Sequence, residues 1–219
     1  MKKNQTQKLV IAGIAALTIG LFSACGGGNE SGKGAAKGIA TNGIMGNVPA
    51  LVAQFDSDLE TLALKMKEAQ SDEKRAKLVE EYDELCSTIE TTMKEAVAAV
   101  TGKEVPAEVQ EGVPFELDGN LVLEMKATSR VEPTIHALGS GKVTDPSAVG
   151  NIGFVAYDTD NNVIAVTPRG SRVDAKGDVR FTVKTISEQA ASWAKLGKIV
   201  LMDKESDAYK QAKAQVEGE

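Results

Sequence analysis

The chain is predicted to be an α+β protein: an N-terminal helical hairpin followed by an antiparallel β-sandwich with short C-terminal helices. Three observations predict it. Apolar residues recur at helical spacings from Val52 to Val100. After Lys103 that periodicity gives way to short alternating runs broken by Pro106, Pro114, Pro133, Pro146 and Pro168. Segments rich in Asp, Asn and Gly separate those runs, as turns require.

The first helix is expected from about Val48 to Gln70, where Val52, Phe55, Leu59, Leu62, Met66 and Ala69 alternate at spacings of three and four. Asn47 stands at the N-cap position, and Pro49 falls in the first turn, where a missing amide hydrogen costs little. A second stripe runs through Leu78, Tyr82, Leu85, Ile89, Met93, Ala96 and Val100, and Gly102 is its breaker. From Met66 to Leu85 is 19 residues, about 5.3 turns, so the two stripes are out of phase on one rod. A turn near Ser71 is therefore expected. Ser71 is its N-cap, with Asp72 and Glu73 suited to a helix N-terminal dipole. One long bent helix is the alternative.

The β region begins after residue 102. Asp118-Gly119-Asn120 is a turn signal ahead of an alternating run from Leu121 to Val131. Ile152 to Tyr157 and Val163 to Val166 are strand-like and joined by Asp158-Thr159-Asp160-Asn161-Asn162. Val179, Phe181 and Val183 alternate, and Ile199 to Met202 is a compact apolar run. Glu188 to Leu196 and Ser206 to Val216 have the texture of short helices. About six strands spaced by turns imply an antiparallel sheet or sandwich. The run FVAYDTDNNVIAV, residues 154–166, resembles a hairpin that recurs in small immunoglobulin-like domains of bacterial envelope proteins. That resemblance implies an Ig-like sandwich and transfers no functional residue.

The N-terminus reads as an address. Lys2, Lys3 and Lys8 form a positive region, Leu9 to Phe22 a 14-residue apolar region, and Ser23-Ala24 precede Cys25 where a signal peptidase would cut. Fourteen residues fall short of the roughly 20 needed to span a bilayer as a helix. Ser23, Ala24 and Cys25 resemble the lipobox of bacterial lipoproteins, with Phe22 where leucine is usual. The resemblance covers residues 1–25 and implies that Cys25 becomes the first mature residue and carries acyl chains, palmitate among them. Several chains, at ~0.8 kcal/mol per buried methylene, would hold the protein on a membrane almost permanently. Residues 25–46, rich in Gly with Lys, Ala, Ser and Asn, are expected to be a flexible tether. Some lipoproteins carry an acidic run after the acylated cysteine that resembles a surface-export signal. Gly26-Gly27-Gly28-Asn29 is not such a run, so the expected location is the cell envelope, at the outer membrane and facing the periplasm. The expected organisation is a leader at 1–24, a tether at 25–46, a helical hairpin at 47–102 and a β-sandwich-like domain at 103–219.

Charge and cysteine content narrow the partners. Three of the 25 basic side chains and none of the 31 acidic ones lie in the leader, so the mature chain carries a formal charge of −9. No basic block with interleaved aromatics is present, which argues against nucleic acid as a partner. Once Cys25 is acylated only Cys86 remains, leaving no intramolecular disulfide. Beside Leu85 and Ile89, Cys86 is expected to pack as a small hydrophobe, since the carboxylates around it oppose thiolate formation.

Catalytic patterns are sparse. His136 is the only histidine, without the spacing of a zinc site or a nucleophile elbow around it. Ser71 to Lys74 and Ser192 to Lys195 match a Ser-x-x-Lys tetrad but lack its companion elements. Gly139-Ser140-Gly141-Lys142 fails the phosphate-loop spacing and is expected to be a loop. Asp158-x-Asp160-x-Asn162 opens like a calcium loop, but Val163 stands where glycine is required and Arg169 where the closing glutamate belongs. Glu80, Glu81, Asp83 and Glu84 are expected to be a solvated face. Trp193, the only tryptophan among nine aromatics, is expected in the core. The sequence thus predicts no catalytic residue, no cofactor and no metal. It predicts a lipid-anchored, non-enzymatic module that binds an envelope protein partner; the alternatives are an assembly factor acting through its amphipathic helices, or a hydrolase.

Overall fold

Two apolar stripes with a capped break between them produce the first two helices. The structure, a computed structural model, describes residues 38–129, 132–184 and 187–218. The expected leader, Cys25 and the tether up to residue 37 lie outside the described residues. Helix α1 spans Val48–Glu68 and α2 spans Asp72–Val100. Between them Ala69 turns extended, and the Ser71 hydroxyl accepts the Lys74 amide N–H at 3.2 Å as the expected N-cap. Asn47 precedes α1, but its side chain makes no capping hydrogen bond. The helix is entered instead through a turn in which Gly46 N–H bonds to the Gly43 carbonyl. Gly102 ends α2 with φ of 87°, and its N–H bonds to the Leu123 carbonyl, passing the chain into the sheets.

Among the described residues ten strands follow: β1 (Glu104–Val105), β2 (Ala107–Val109), β3 (Phe115–Leu117), β4 (Leu121–Ser129), β5 (Glu132–Val143), β6 (Ile152–Asp158), β7 (Val163–Val166), β8 (Arg172–Val173), β9 (Asp178–Lys184) and β10 (Leu196–Asp203). Helix α3 (Ala190–Trp193) precedes β10 and α4 (Asp207–Glu217) follows it. The protein is thus a mixed α+β fold with an N-terminal helical pair, two sheets and short C-terminal helices. One sheet has the order β1-β4-β5-β9-β8, with β3 also on β5; the other runs β2-β10-β6-β7. All pairs are antiparallel except β2 with β10, which is parallel.

The longest strand departs from expectation. Gly139-Ser140-Gly141-Lys142 was expected as a loop and instead lies within β5, paired to β3 on one side and to β9 on the other. Its glycines sit where neighbouring groups leave little room. A side chain at Gly139 would meet Leu121 at 2.5 Å, and one at Gly141 would strike the Phe115 ring and the Glu116 carbonyl.

The inner faces of the two sheets and the base of the helical pair contribute to one apolar core. Phe154 of β6 contacts Phe181 of β9 at 5.7 Å between ring centroids, and Phe181 meets Trp193 edge-on at 6.2 Å. The core also takes Met45, Val52 and Phe55 from the α1 side and Ile89, Met93 and Val97 from α2. Fully burying such side chains contributes about 1.5–3 kcal/mol each. Met45 is among the fully buried residues, so packing begins ahead of Val48. The second face of the four-stranded sheet is covered too: Val155, Val200 and Met202 pack with Tyr209 and Ala212 of α4. That double burial explains why β6 reads IGFVAY with so little alternation.

Candidate functional site: a projecting helical arm

The helical pair has two unequal halves. Near its base, α1 and α2 contribute to the common core. Beyond, Leu62, Ala69 and Leu78 form a separate small cluster with Met66, Tyr82 and Leu85, all supplied by the pair itself. Residues that share a cluster pair early α1 with late α2 and late α1 with early α2, which is the antiparallel arrangement. From Leu59, the last α1 side chain packed against the common core, to Glu68 the helix rises about 14 Å, so the distal end stands off as an arm.

The surface of the helical pair is charged. Residues 48–100 contain 12 acidic and 6 basic side chains. Asp72–Arg75, Glu73–Lys77 and Glu90–Lys94 are ion pairs one turn apart. Glu80, Glu81, Asp83 and Glu84 are exposed and make no ion pair among the described residues. Leu64 and Val79 are the large apolar side chains that the arm turns to water, at 53% and 46% exposure. Cys86 is half-buried and carries a free thiol.

The polar residues singled out by the sequence are dispersed. His136 lies in β5, 8% exposed, with Nδ1 3.3 Å from the Thr182 hydroxyl and Glu124 as its register partner on β4. Ser71 of the first Ser-x-x-Lys tetrad is occupied as a helix cap. In the second, the Lys195 amide N–H bonds to the Ser192 carbonyl, and its ammonium lies 4.0 Å from the Asp160 carboxylate.

The Asp158 loop holds itself together. Asp158 Oδ1 accepts the amide N–H groups of Asp160 and Asn162 at 2.8 Å each, and Oδ2 accepts the Asn162 side-chain amide at 2.9 Å. Asn161 sits at φ of 63°, a conformation that asparagine tolerates. The Asn162 side chain, and then the backbone amides of Asn162 and Asp160, hold the Asp158 carboxyl below the usual range, against the opposing effect of burial. Both carboxylate oxygens are thus engaged within their own turn. Among the described residues no three His, Cys, Asp or Glu side chains gather to hold a metal ion.

Two further features carry polar groups. Trp193 is fully buried in the core, and its Nε1–H finds no acceptor among the described residues. A shallow cleft of roughly 360 Å³ between β7 and α4 is lined by Val166, Thr167, Tyr209, Lys213, Val216 and Glu217. Its hydroxyls, Thr167 and Tyr209, bond to each other, and Lys213 pairs with Glu217 at 3.5 Å. Neither Thr167 nor Tyr209 carries a motif in the sequence; threonine at φ of 36° is visible only in the backbone.

No helix among the described residues is long and apolar enough to cross a membrane. No protein-family model, curated protein or solved structure matches the chain.

Proposed function

We propose that this protein is a bacterial envelope lipoprotein that acts by binding, without catalysis. Cys25 is its lipid attachment, the Gly-rich segment its tether, and the helical arm the element it presents to a protein partner. The location we favour is the outer membrane, on the periplasmic face. One observation carries the reading: beyond Leu59 and Leu85, which still touch the common core, the distal halves of α1 and α2 pack on each other in a cluster of their own. A projection of that length is a way to reach a partner, and Leu64 and Val79 give it apolar contact points within a charged surface.

Assembly through the apolar stripe is the weaker reading, because Val52, Phe55 and Leu62 are buried inside the protein. A hydrolase would need a base and a nucleophile brought together, and His136, Cys86 and the two Ser-x-x-Lys tetrads sit on separate elements.

We read the β region as an Ig-like sandwich. The order β4-β5-β9-β8 follows the A-B-E-D sheet of that architecture, and β7-β6-β10 follows C′-C-F. Successive connections cross between sheets at β5 to β6, β7 to β8 and β9 to β10. The place of the last strand is taken by β2, in parallel pairing, and the chain continues from β10 into α4.

Intact mass and membrane partition of the wild type against Cys25→Ala test the anchor. The expected result is an acyl-bearing, membrane-bound wild type and a soluble variant. An unmodified, soluble wild type would overturn the lipoprotein reading.

A further inference from the structure

The six-stranded sheet has a face turned away from the core, and on it two arginines stand directly opposed. Alternation along β5, β8 and β9 sends Ile135, Val173, Val179 and Phe181 into the core. The same alternation puts Leu138, Arg172, Arg180 and Thr182 on the opposite face. Arg172 and Arg180 are register partners. Directly opposed side chains on one face of an antiparallel pair lie about 4.5–5.5 Å apart at Cβ, and like charges so placed destabilise the pair. Three of the five arginines in the chain fall within residues 169–180.

Neither member of the pair makes an ion pair within 4.0 Å among the described residues. Asp174 is close, but its Oδ1 is committed to the Lys176 and Asp178 amide N–H groups at 2.8 and 3.1 Å. Asp178 shares the strand face with Arg180 one pleat repeat away, and Glu124 stands opposite His136 in the neighbouring row. Beside the arginines the row turns apolar. Leu138 is the register partner of Arg180, and Val122, 40% exposed, is the partner of Leu138.

We infer that Arg172 and Arg180 form a binding site for the phosphate group of a phosphomonoester, with Leu138 and Val122 receiving an apolar part of the same ligand. Two guanidinium groups supply paired donors suited to phosphate oxygens. Their combined charge answers the −1.5 to −2 of a phosphomonoester near neutral pH, with Asp174 beside Arg172 and Asp178 on the same face offsetting part of it. Such a group could belong to a soluble phosphoester or to a lipid headgroup. The inference is independent of the arm and of the lipid anchor.

The test uses the full chain and inorganic phosphate, with chloride at matched ionic strength as the control for simple screening. Phosphate is expected to raise the unfolding temperature and to shift the amide resonances of residues 172 and 180. The Arg172→Gln/Arg180→Gln double variant should bind phosphate at least tenfold more weakly. Because that variant removes a like-charge pair, its unfolding temperature in chloride should hold or rise, which keeps the comparison on folded protein. Arg180→Lys keeps the charge but loses the paired donors, and should bind more weakly than the wild type. Co-sedimentation of Cys25→Ala with phosphatidic acid vesicles, but not phosphatidylcholine vesicles, would assign the site to a lipid headgroup if the double variant abolishes it. Phosphate binding without vesicle binding assigns it to a soluble phosphoester. A phosphate effect no larger than that of chloride, or one that survives in the double variant, overturns the inference.

Discussion

The hydroxyls of Thr167 and Tyr209 lie 2.9 Å apart and join the end of β7 to α4 across 42 residues of sequence. Thr167 also accepts the Phe154 amide N–H at 2.9 Å, and its own N–H bonds to the Phe154 carbonyl at 2.8 Å. These bonds offset a left-handed backbone, φ 36°, that a β-branched residue adopts only under constraint. The C-terminal helix is thereby fixed over the outer face of β6 and β7.

Replacing Tyr209 with Phe removes one of those bonds and is expected to cost about 0.5–1.5 kcal/mol in denaturant unfolding. Thr167→Ala leaves the Phe154 amide without its hydroxyl partner and keeps the strained backbone, so it should cost more. Thr167→Gly relieves the strain and should be milder than Thr167→Ala by about 1 kcal/mol. Equal losses for the alanine and glycine variants would show that the backbone stores no strain there.

Gly177 tests the close approach behind β5. It sits at φ of 91°, and a side chain on it would strike the Gly141 carbonyl. Gly177→Ala meets both penalties and is expected to lose at least about 1–3 kcal/mol. Gly112→Ala serves as the control, since φ there is 86° with open space around it; its smaller loss should report the backbone penalty alone.

The arm should unfold before the body. Ser71→Ala removes the α2 cap, at a cost of about 1 kcal/mol, and Leu78→Ala opens the small cluster at the far end. Hydrogen exchange should show faster exchange over residues 60–85 in both variants, with the β5 and β10 amides unchanged. Uniform acceleration across the protein would mean that the arm and the body unfold as one unit.

Asp158 gives a pH dependence of defined sign. Its carboxyl is held below the unfolded value, mainly by the Asn162 side chain. The stabilisation is therefore complete above the ordinary carboxyl pKa of about 3.9 and is lost as pH falls through the folded value. Asp158→Asn should be less stable than the wild type at pH 7, and the gap should narrow as pH falls below about 4. Urea midpoints across that range check it; a gap that widens with acid would contradict the assignment.

The helical pair was legible because its spacings of three and four follow directly from which residues it buries, and the Ser71 cap was legible because hydroxyl capping is local. Strand β5 was not, because Pro133, Gly139 and Gly141 are the residues that ordinarily break strands. The two glycines are tolerated here because Phe115, Leu121 and Gly177 press close against that backbone. The parallel β2–β10 pairing joins residues about 90 positions apart through a strand of three, too short to carry a pattern. Within the candidate site, the apolar stripes of the arm were readable, but its projection depends on where the common core stops. The opposition of Arg172 and Arg180 depends on the Asp174–Gly177 turn, where the Gly177 N–H bonds to the Asp174 carbonyl and sets the register.

The most direct test of a tethered module that reaches its partner with the arm is site-specific photocrosslinking in living cells. A photoreactive residue would be placed at Leu64, at Val79 and, as a body control, at Thr144, in chains with and without Cys25→Ala. The account predicts a discrete adduct at both arm positions, none at Thr144, and loss of the arm adducts when Cys25 is replaced. Adducts that form equally at Thr144, or none from the arm in the anchored protein, would contradict it.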